Sequence, residues 1–252
     1  MEELRRGRQT TIEATPEPIR IDTARTAVIV VDMQNDFGSK GGMFDRAGID
    51  IAPIQRVVTP ISRVLESARH AGVKVVYLKM GFRPDLSDLG PSDSPNRSHW
   101  KVFQIGEGMV APDGTEGRIL IRDTWNTEIV DELKPQPEDN VLYKTRYSGF
   151  YQTELDSVLR QLGALYLIVT GCTTSVCVES TVRDATFRDY SCLVLADCMA
   201  EPVGHDLVRS NHEASLLVIQ TLFGWVSRSD EFIGAIERRT ERALAKRAHI
   251  TR

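Results

Sequence analysis

The sequence predicts one doubly wound α/β domain, a mainly parallel sheet with helices on both faces. Two observations carry this. Short β-branched runs alternate with segments of helical spacing, the pattern of strands joined by helical crossovers. No internal repeat, low-complexity tract or shift in composition divides the chain. With 252 residues, 41% of them hydrophobic, the domain can bury a large core without disulfides.

Residues 1–24 are polar, carry Pro16 and Pro18, and read as an N-terminal tail or packing arm before a domain spanning 25–252. TAVIVVD (26–32) has the composition of a strand buried on both faces. Ile54, Val57, Val58, Ile61, Val64, Leu65 and Ala68 then recur at helical spacing, and Gly72 stops that helix. VKVVYLK (73–79) is a second strand. Residues 80–125 are rich in Pro, Gly, Asp and Ser, with little periodicity, and a loop of that length in a compact domain is usually functional.

The alternation resumes with NVLYK (140–144), followed by a helix ending at Gly163, for which Thr153 and Asp156 suggest a capping box. LYLIVT (165–170) is a strand that leads into a helix from about Ser175 to Asp189. SCLVLAD (191–197) is another, followed by a helix from about Asp206 to Leu222. A short GWVS strand and a last helix at about 229–247, capped by Ser229, complete the chain.

The formal charge of −4 gives no general attraction to nucleic acid or anionic membranes. Arg5, Arg6 and Arg8, and a C-terminal set of Arg238, Arg239, Arg242, Lys246 and Arg247, read as solvated surface. MEELRRGRQT lacks an apolar secretory core, and no stretch reaches the length of a membrane span. Four scattered cysteines then suggest reduced thiols and a cytoplasmic location. His70, His99, His205, His212 and His249 form no metal-ligand pattern, and no glycine-rich dinucleotide or phosphate loop follows a strand, so neither metal nor cofactor is expected.

Ligands of open α/β sheets sit at the carboxyl ends of the strands, and three reactive types occupy that rim. Asp32 ends an apolar strand, where an unpartnered charge is costly; its bland role is a turn cap, open equally to Asp36. Lys144 ends another strand, where a lysine can simply snorkel to solvent. Cys177 lies near the start of a helix, where free N–H groups and the helix dipole lower a thiol pKa, although most free cysteines are buried hydrophobes. Together a thiol, a carboxylate and an ammonium suit nucleophilic acyl transfer, with the aspartate carrying the proton.

VIVVDMQNDF (28–37), the strand-ending Lys144 and GCTTSVCVESTVRDA (171–185) resemble the isochorismatase-like cysteine hydrolases over roughly residues 25–227. The resemblance implies a six-stranded parallel sheet, an Asp32–Lys144–Cys177 triad, and an oxyanion hole from the backbone amides of Thr173 and Cys177. It also implies a cis peptide between Thr173 and Thr174, and a homo-oligomer, dimer or tetramer. Members that cleave an enol ether lack the cysteine, and metal-binding nicotinamidases carry histidines where this chain reads LKMGFRPDLSDLG.

VDELKPQPED (130–139), KTRYSGFYQTELDSVLR (144–160), CVESTVRD (177–184) and TLFGWVS (221–227) are similar to ureidoacrylate amidohydrolases. GFRPDLSDL (81–89) and the IGEGM and GRIL segments are more similar to biuret hydrolases. The expectation is a cysteine amidohydrolase cleaving a carbamoyl or ureido C–N bond of a small molecule. A simple carboxamide such as a maleamate-type acid, or a non-catalytic binding relative, are the other readings. Arg83 and Arg146 are candidates to meet a substrate carboxylate; Gln34, Phe37, Tyr147 and Phe150 are candidate pocket residues. Asn96, His99 and Trp100 in the long loop are candidates to close over substrate or to meet a neighbouring subunit.

Overall fold

The structure, a computed structural model, describes residues 9–250, with the side chains of 246–250 excepted. Arg5, Arg6 and Arg8, and the side chains of Lys246, Arg247 and His249, lie outside the described residues. Ten strands are present among these: β1 (Gln9–Ile12), β2 (Ile19–Asp22), β3 (Thr26–Val31), β4 (Lys74–Met80), β5 (Gly108–Val110), β6 (Glu116–Arg118), β7 (Asn140–Lys144), β8 (Tyr166–Cys172), β9 (Ser191–Ala200) and β10 (Trp225–Ser227). The main helices are α1 (Ala52–His70), α2 (Leu155–Gln161), α3 (Glu179–Thr186), α4 (Asn211–Val218) and α5 (Ser229–Ile250). No helix among the described residues is long and apolar enough to cross a membrane.

Six strands form one all-parallel sheet in the order β10-β9-β8-β3-β4-β7. Every residue of β3 is buried, as its unbroken β-branched run requires in a sheet covered on both faces. From β3 the chain builds outward through β4 and β7, then returns to the other side of β3 to lay down β8, β9 and β10. The order therefore reverses between β3 and β8, and the crevice at their carboxyl ends is where such folds bind ligands.

The helix α1 buries Ile54, Val57, Ile61, Val64, Leu65 and Ala68, the face its spacing predicts, and Gly72 ends it at a φ of 74°. The N-terminal arm is part of the fold from residue 9 onward. β1 and β2 pair antiparallel and bury Ile12, Ile19 and Ile21. Thr10 Oγ1 donates to Ala235 O of α5 at 2.9 Å, and Thr15 exchanges backbone hydrogen bonds with Val226 of β10. Three buried isoleucines thus pack the segment onto the fold, the second of the two roles, tail or packing arm, expected for it.

Three local expectations need correction. Thr153 does accept from Leu155 N at 3.2 Å, but Asp156 does not complete a capping box. Its short side chain is drawn to Arg160 Nε at 2.8 Å and Tyr190 OH at 2.9 Å. The helix expected from Asp206 begins at Asn211, where Ser210 and Glu213 form a true box. The long 80–125 segment holds a short helix, Pro95–Trp100, and the β5–β6 hairpin.

Gly171 packs directly against the backbone of β3. Its φ is 110°, and a Cβ there would lie 2.1 Å from Val31 O. Gly171→Ala is expected to lower unfolding free energy by about 3 kcal/mol or more. Gly114→Ala, also at positive φ but with open space around it, should lose only the backbone cost of about 1–2 kcal/mol. Urea denaturation of the two variants checks this, and equal losses would show that the contact with β3 is unimportant.

Candidate active site

At the end of β3 the backbone turns sharply. Asp32 N donates to Leu78 O at 2.9 Å, extending the β3–β4 ladder, while Asp32 itself adopts a φ of 51°. Few non-glycine residues take that conformation, and aspartate is among those that tolerate it. Gln34 locks the exit: its Nε2 donates to Met80 O at 2.9 Å and its Oε1 accepts from Met80 N at 2.8 Å. Fully buried, it ties β3 to β4 instead of facing a ligand.

Lys144 ends the edge strand β7, opposite Met80, and its apolar stem reaches inward past β4. Nζ lies 2.7 Å from Asp32 Oδ2, with both side chains at most 1% exposed. The same ammonium donates to Cys177 Sγ at 3.3 Å and to Arg146 O at 3.3 Å. The three expected triad members therefore meet at one point.

Burial raises the Asp32 carboxyl pKa, and Lys144, the Cys177 thiol and the Met80 backbone offset that only in part. Burial also works against the Lys144 charge, yet Asp32 and Cys177 hold its pKa above the ordinary lysine value. Burial pushes the Cys177 thiol pKa well up, and Asp32 adds to this while Lys144 opposes it. The expectation of a lowered thiol pKa is thus overturned. Cys177 sits in a π-helical turn, Thr174–Val178, ahead of α3, buried beside a carboxylate, and desolvation exceeds any help from the helix terminus.

The turn from β8 to α3 is held from outside. Glu201, buried just after β9, accepts from Ser175 N at 2.8 Å, Ser175 Oγ at 2.5 Å and Val203 N at 3.1 Å. Thr174 Oγ1 lies 2.9 Å from His212 Nδ1 of α4. Neither residue was singled out from sequence for this role, because each reaches the turn from a distant segment. The cis peptide falls at Cys172–Thr173, one bond earlier than expected, at the point where β8 ends and Thr173 opens the turn. All four cysteines are free and buried; Cys172 donates its thiol to Asp32 O at 3.2 Å.

A cavity of about 160 Å³ opens onto this cluster. Asp32, Thr173 and Cys177 line it together with Phe37, Phe44, Trp100, Phe103 and Tyr147. The long loop supplies Trp100 and Phe103. Asn96 braces the first, accepting from Trp100 Nε1 at 3.1 Å, and His99 is exposed. The loop is tied down by Asp36, a buried carboxylate that accepts from Met43 N at 3.0 Å, Leu120 N at 2.7 Å and Asn126 Nδ2 at 2.6 Å. Burial still pushes its pKa up to about 6.

Of the remaining candidates, Phe37 and Tyr147 line the cavity. Phe150 does not: it is buried in a stack on Tyr190, centroids 5.9 Å apart. Arg83 is exposed and Arg146 donates Nη1 to Asp88 O and Thr145 O; neither lines the cavity. Among the described residues no cluster of His, Cys, Asp and Glu could hold a metal ion.

Sheet order and site geometry define the ligand crevice of an open parallel α/β sheet, with a cysteine, a carboxylate and an ammonium meeting in it. The isochorismatase domain model matches residues 26–231, and the chain belongs to that family. It is 44% identical over 223 residues to the ureidoacrylate amidohydrolase RutB of Caulobacter segnis, covering 88% of this chain and 90% of that one. The Yersinia enterocolitica ureidoacrylate amidohydrolase RutB is 41% identical, with 89% and 95% covered. A cysteine hydrolase from Pseudomonas syringae superposes with a TM-score of 0.73 at 34% identity, over 87% of this chain and 95% of that one. N-carbamoylsarcosine amidase from Thermoplasma acidophilum superposes at 0.60 and 28% identity, over 82% and 97%.

Lys144→Met would leave the Asp32 carboxylate buried without its partner. It is expected to lose about 3–5 kcal/mol of stability, and Asp32→Asn combined with Lys144→Met should recover a large part. Equilibrium denaturation of the single and double variants measures this; a single variant as stable as the parent would remove the ion pair from the account.

Proposed function

We propose that this protein is a cysteine-dependent amidohydrolase that cleaves a C–N bond of a small carbamoyl or ureido compound. The observation that carries it is the placement of one ammonium between Asp32 Oδ2 and Cys177 Sγ, at 2.7 and 3.3 Å, with the carboxylate and the thiol both lining one cavity. Relatives named for ureidoacrylate hydrolysis over nine-tenths of their length support the substrate class.

In the resting site the thiol keeps its proton, because burial and the adjacent carboxylate raise its pKa. Asp32 takes that proton as Sγ attacks the carbonyl carbon, and Lys144 stays within reach of both groups throughout. A proton handed over at the moment of attack avoids maintaining a buried thiolate. The tetrahedral oxyanion is received by the backbone amides of Thr173 and Cys177, each donor contributing about 3–4 kcal/mol where such groups have been removed from other enzymes. Glu201 and His212 hold the turn that presents them.

The C–N bond then breaks and the nitrogen leaves with the proton from Asp32, so that an acyl group remains on Sγ. Water attacks that thioester, gives a proton to Asp32 and restores the thiol. These steps need no group beyond the residues named.

Cys177→Ser and Cys177→Ala are expected to lower ammonia release from 3-ureidoacrylate by about 10³-fold or more, with the melting temperature little changed. Cys172→Ala, which removes the neighbouring thiol, should retain most activity. Turnover unaffected by either change at Cys177 would sink the cysteine mechanism.

A further inference from the structure

Four aromatic rings of the cavity lining, Phe37, Phe44, Trp100 and Phe103, are carried by short segments far from one another in regular structure: Asn35–Gly38, Met43–Arg46, Pro95–Trp100 and Lys101–Phe103. The rings touch in series, Phe37 to Phe44 at 4.8 Å, Phe44 to Phe103 at 6.0 Å and Phe103 to Trp100 at 5.8 Å between centroids. None of them belongs to the six-stranded sheet. The shape of this wall therefore depends on how the backbone of those segments is fixed.

One side chain reaches the supports of all four. Asp36, which is fully buried, immediately precedes Phe37. Its Oδ1 accepts from Met43 N, next to Phe44, and from Asn126 Nδ2, while its Oδ2 accepts from Leu120 N. Leu120 O accepts in turn from Phe82 N at 2.8 Å, and the buried Phe82 ring meets Trp100 edge to face, centroids 6.3 Å apart. Ile119, beside Leu120, accepts from Gly106 N at 2.9 Å and donates to Glu107 O at 3.0 Å, a few residues beyond Phe103.

Asp36 itself does not line the cavity, and no proton transfer in the mechanism uses it. Burial opposes its charge, and the three hydrogen bonds offset this more than the charge of Arg46 does. An apolar side chain of the same size would avoid that cost. It would also leave the Met43 and Leu120 amides, which join the two halves of the wall, without an acceptor.

We propose that Asp36 is a positioning residue for the reaction: its carboxylate fixes the aromatic wall against which the substrate packs, and so governs substrate binding more than the chemical step. This rests on the amidohydrolase function proposed above. The triad is held by other means, through the Gln34–Met80 pairing and the Met80–Lys144 register, so the two roles separate in kinetics.

Asp36→Asn keeps the size and turns one acceptor oxygen into a donor. In either orientation of the amide, a buried backbone N–H of Leu120 or of Met43 loses its acceptor. The test is made at pH 8, where the parent group, with a pKa of about 6, is ionised. KM for 3-ureidoacrylate is expected to rise about tenfold or more, with kcat changed less than about threefold. Hydrogen exchange followed by mass spectrometry is expected to quicken about tenfold in the segments holding Phe44, Trp100 and Leu120, with β3 and β8 unchanged. Asn126→Ala, which removes one donor and keeps the carboxylate, is expected to raise KM about threefold and decides the matter should Asp36→Asn fail to fold. A KM unmoved in the folded variants, wall segments that exchange as in the parent, or a kcat that falls as steeply as KM rises overturns the positioning role and leaves the amidohydrolase function standing. No hydrolysis by the parent protein would instead overturn the amidohydrolase function itself, and the positioning role with it.

Discussion

A fully buried ion pair, Asp32 with Lys144 at 2.7 Å, is the constraint around which the rest of the site is arranged. Two charges out of water are tolerable only when each is held against the other and against further hydrogen-bonding groups. The fold meets that demand with strand order. β3 ends in the carboxylate, β7 ends in the ammonium, and β4 between them fixes their separation through the Gln34–Met80 pairing and the Met80–Lys144 register. On the other side β8 brings Cys177 into the same point, across the reversal in strand order. Loss of either charge would turn an arrangement of mutual support into an isolated buried ion.

The chemistry follows from how the three groups share protons. An exposed thiolate would attack alkylating agents indiscriminately, whereas a buried thiol beside a carboxylate is unreactive until a carbonyl enters and the proton has somewhere to go. The raised thiol pKa is therefore compatible with nucleophilic catalysis, provided the base is within reach. Rigidity of the cradle matters for the same reason. Glu201 takes both the amide and the hydroxyl of Ser175 and so fixes the turn that, in the proposed mechanism, presents the Thr173 and Cys177 amides.

Much of this is legible in the sequence. Unbroken β-branched runs marked β3 and β8, helical spacing marked α1, and three chemically complementary residues stood at strand ends. What could not be read was anything created by distant contacts. The sequence around Glu201 gives no sign that it caps a turn 26 residues earlier. Asp36 looks like a local cap, yet it gathers Leu120 and Asn126 from a segment more than 80 residues away. Arg146 and Phe150 flank the triad in sequence, but backbone carbonyls claim the first and Tyr190 the second. Ser175 to Val178 reads as the start of a regular helix; the wider π turn arises because Val178 N bonds back to Thr173 O at 3.1 Å. The arm's three buried isoleucines were visible but diluted by the polar residues around them.

The central claim is that Asp32, Lys144 and Cys177 act as one unit through an acyl group carried on sulfur. Its most direct test is intact-mass and peptide mass spectrometry of the protein quenched during turnover of a slow carbamoyl substrate. The account requires an acyl adduct on Cys177 that forms and decays with turnover and that disappears in Asp32→Asn. Multiple turnovers with no adduct at any quench time, or an adduct that forms at an undiminished rate without the Asp32 carboxylate, would contradict it.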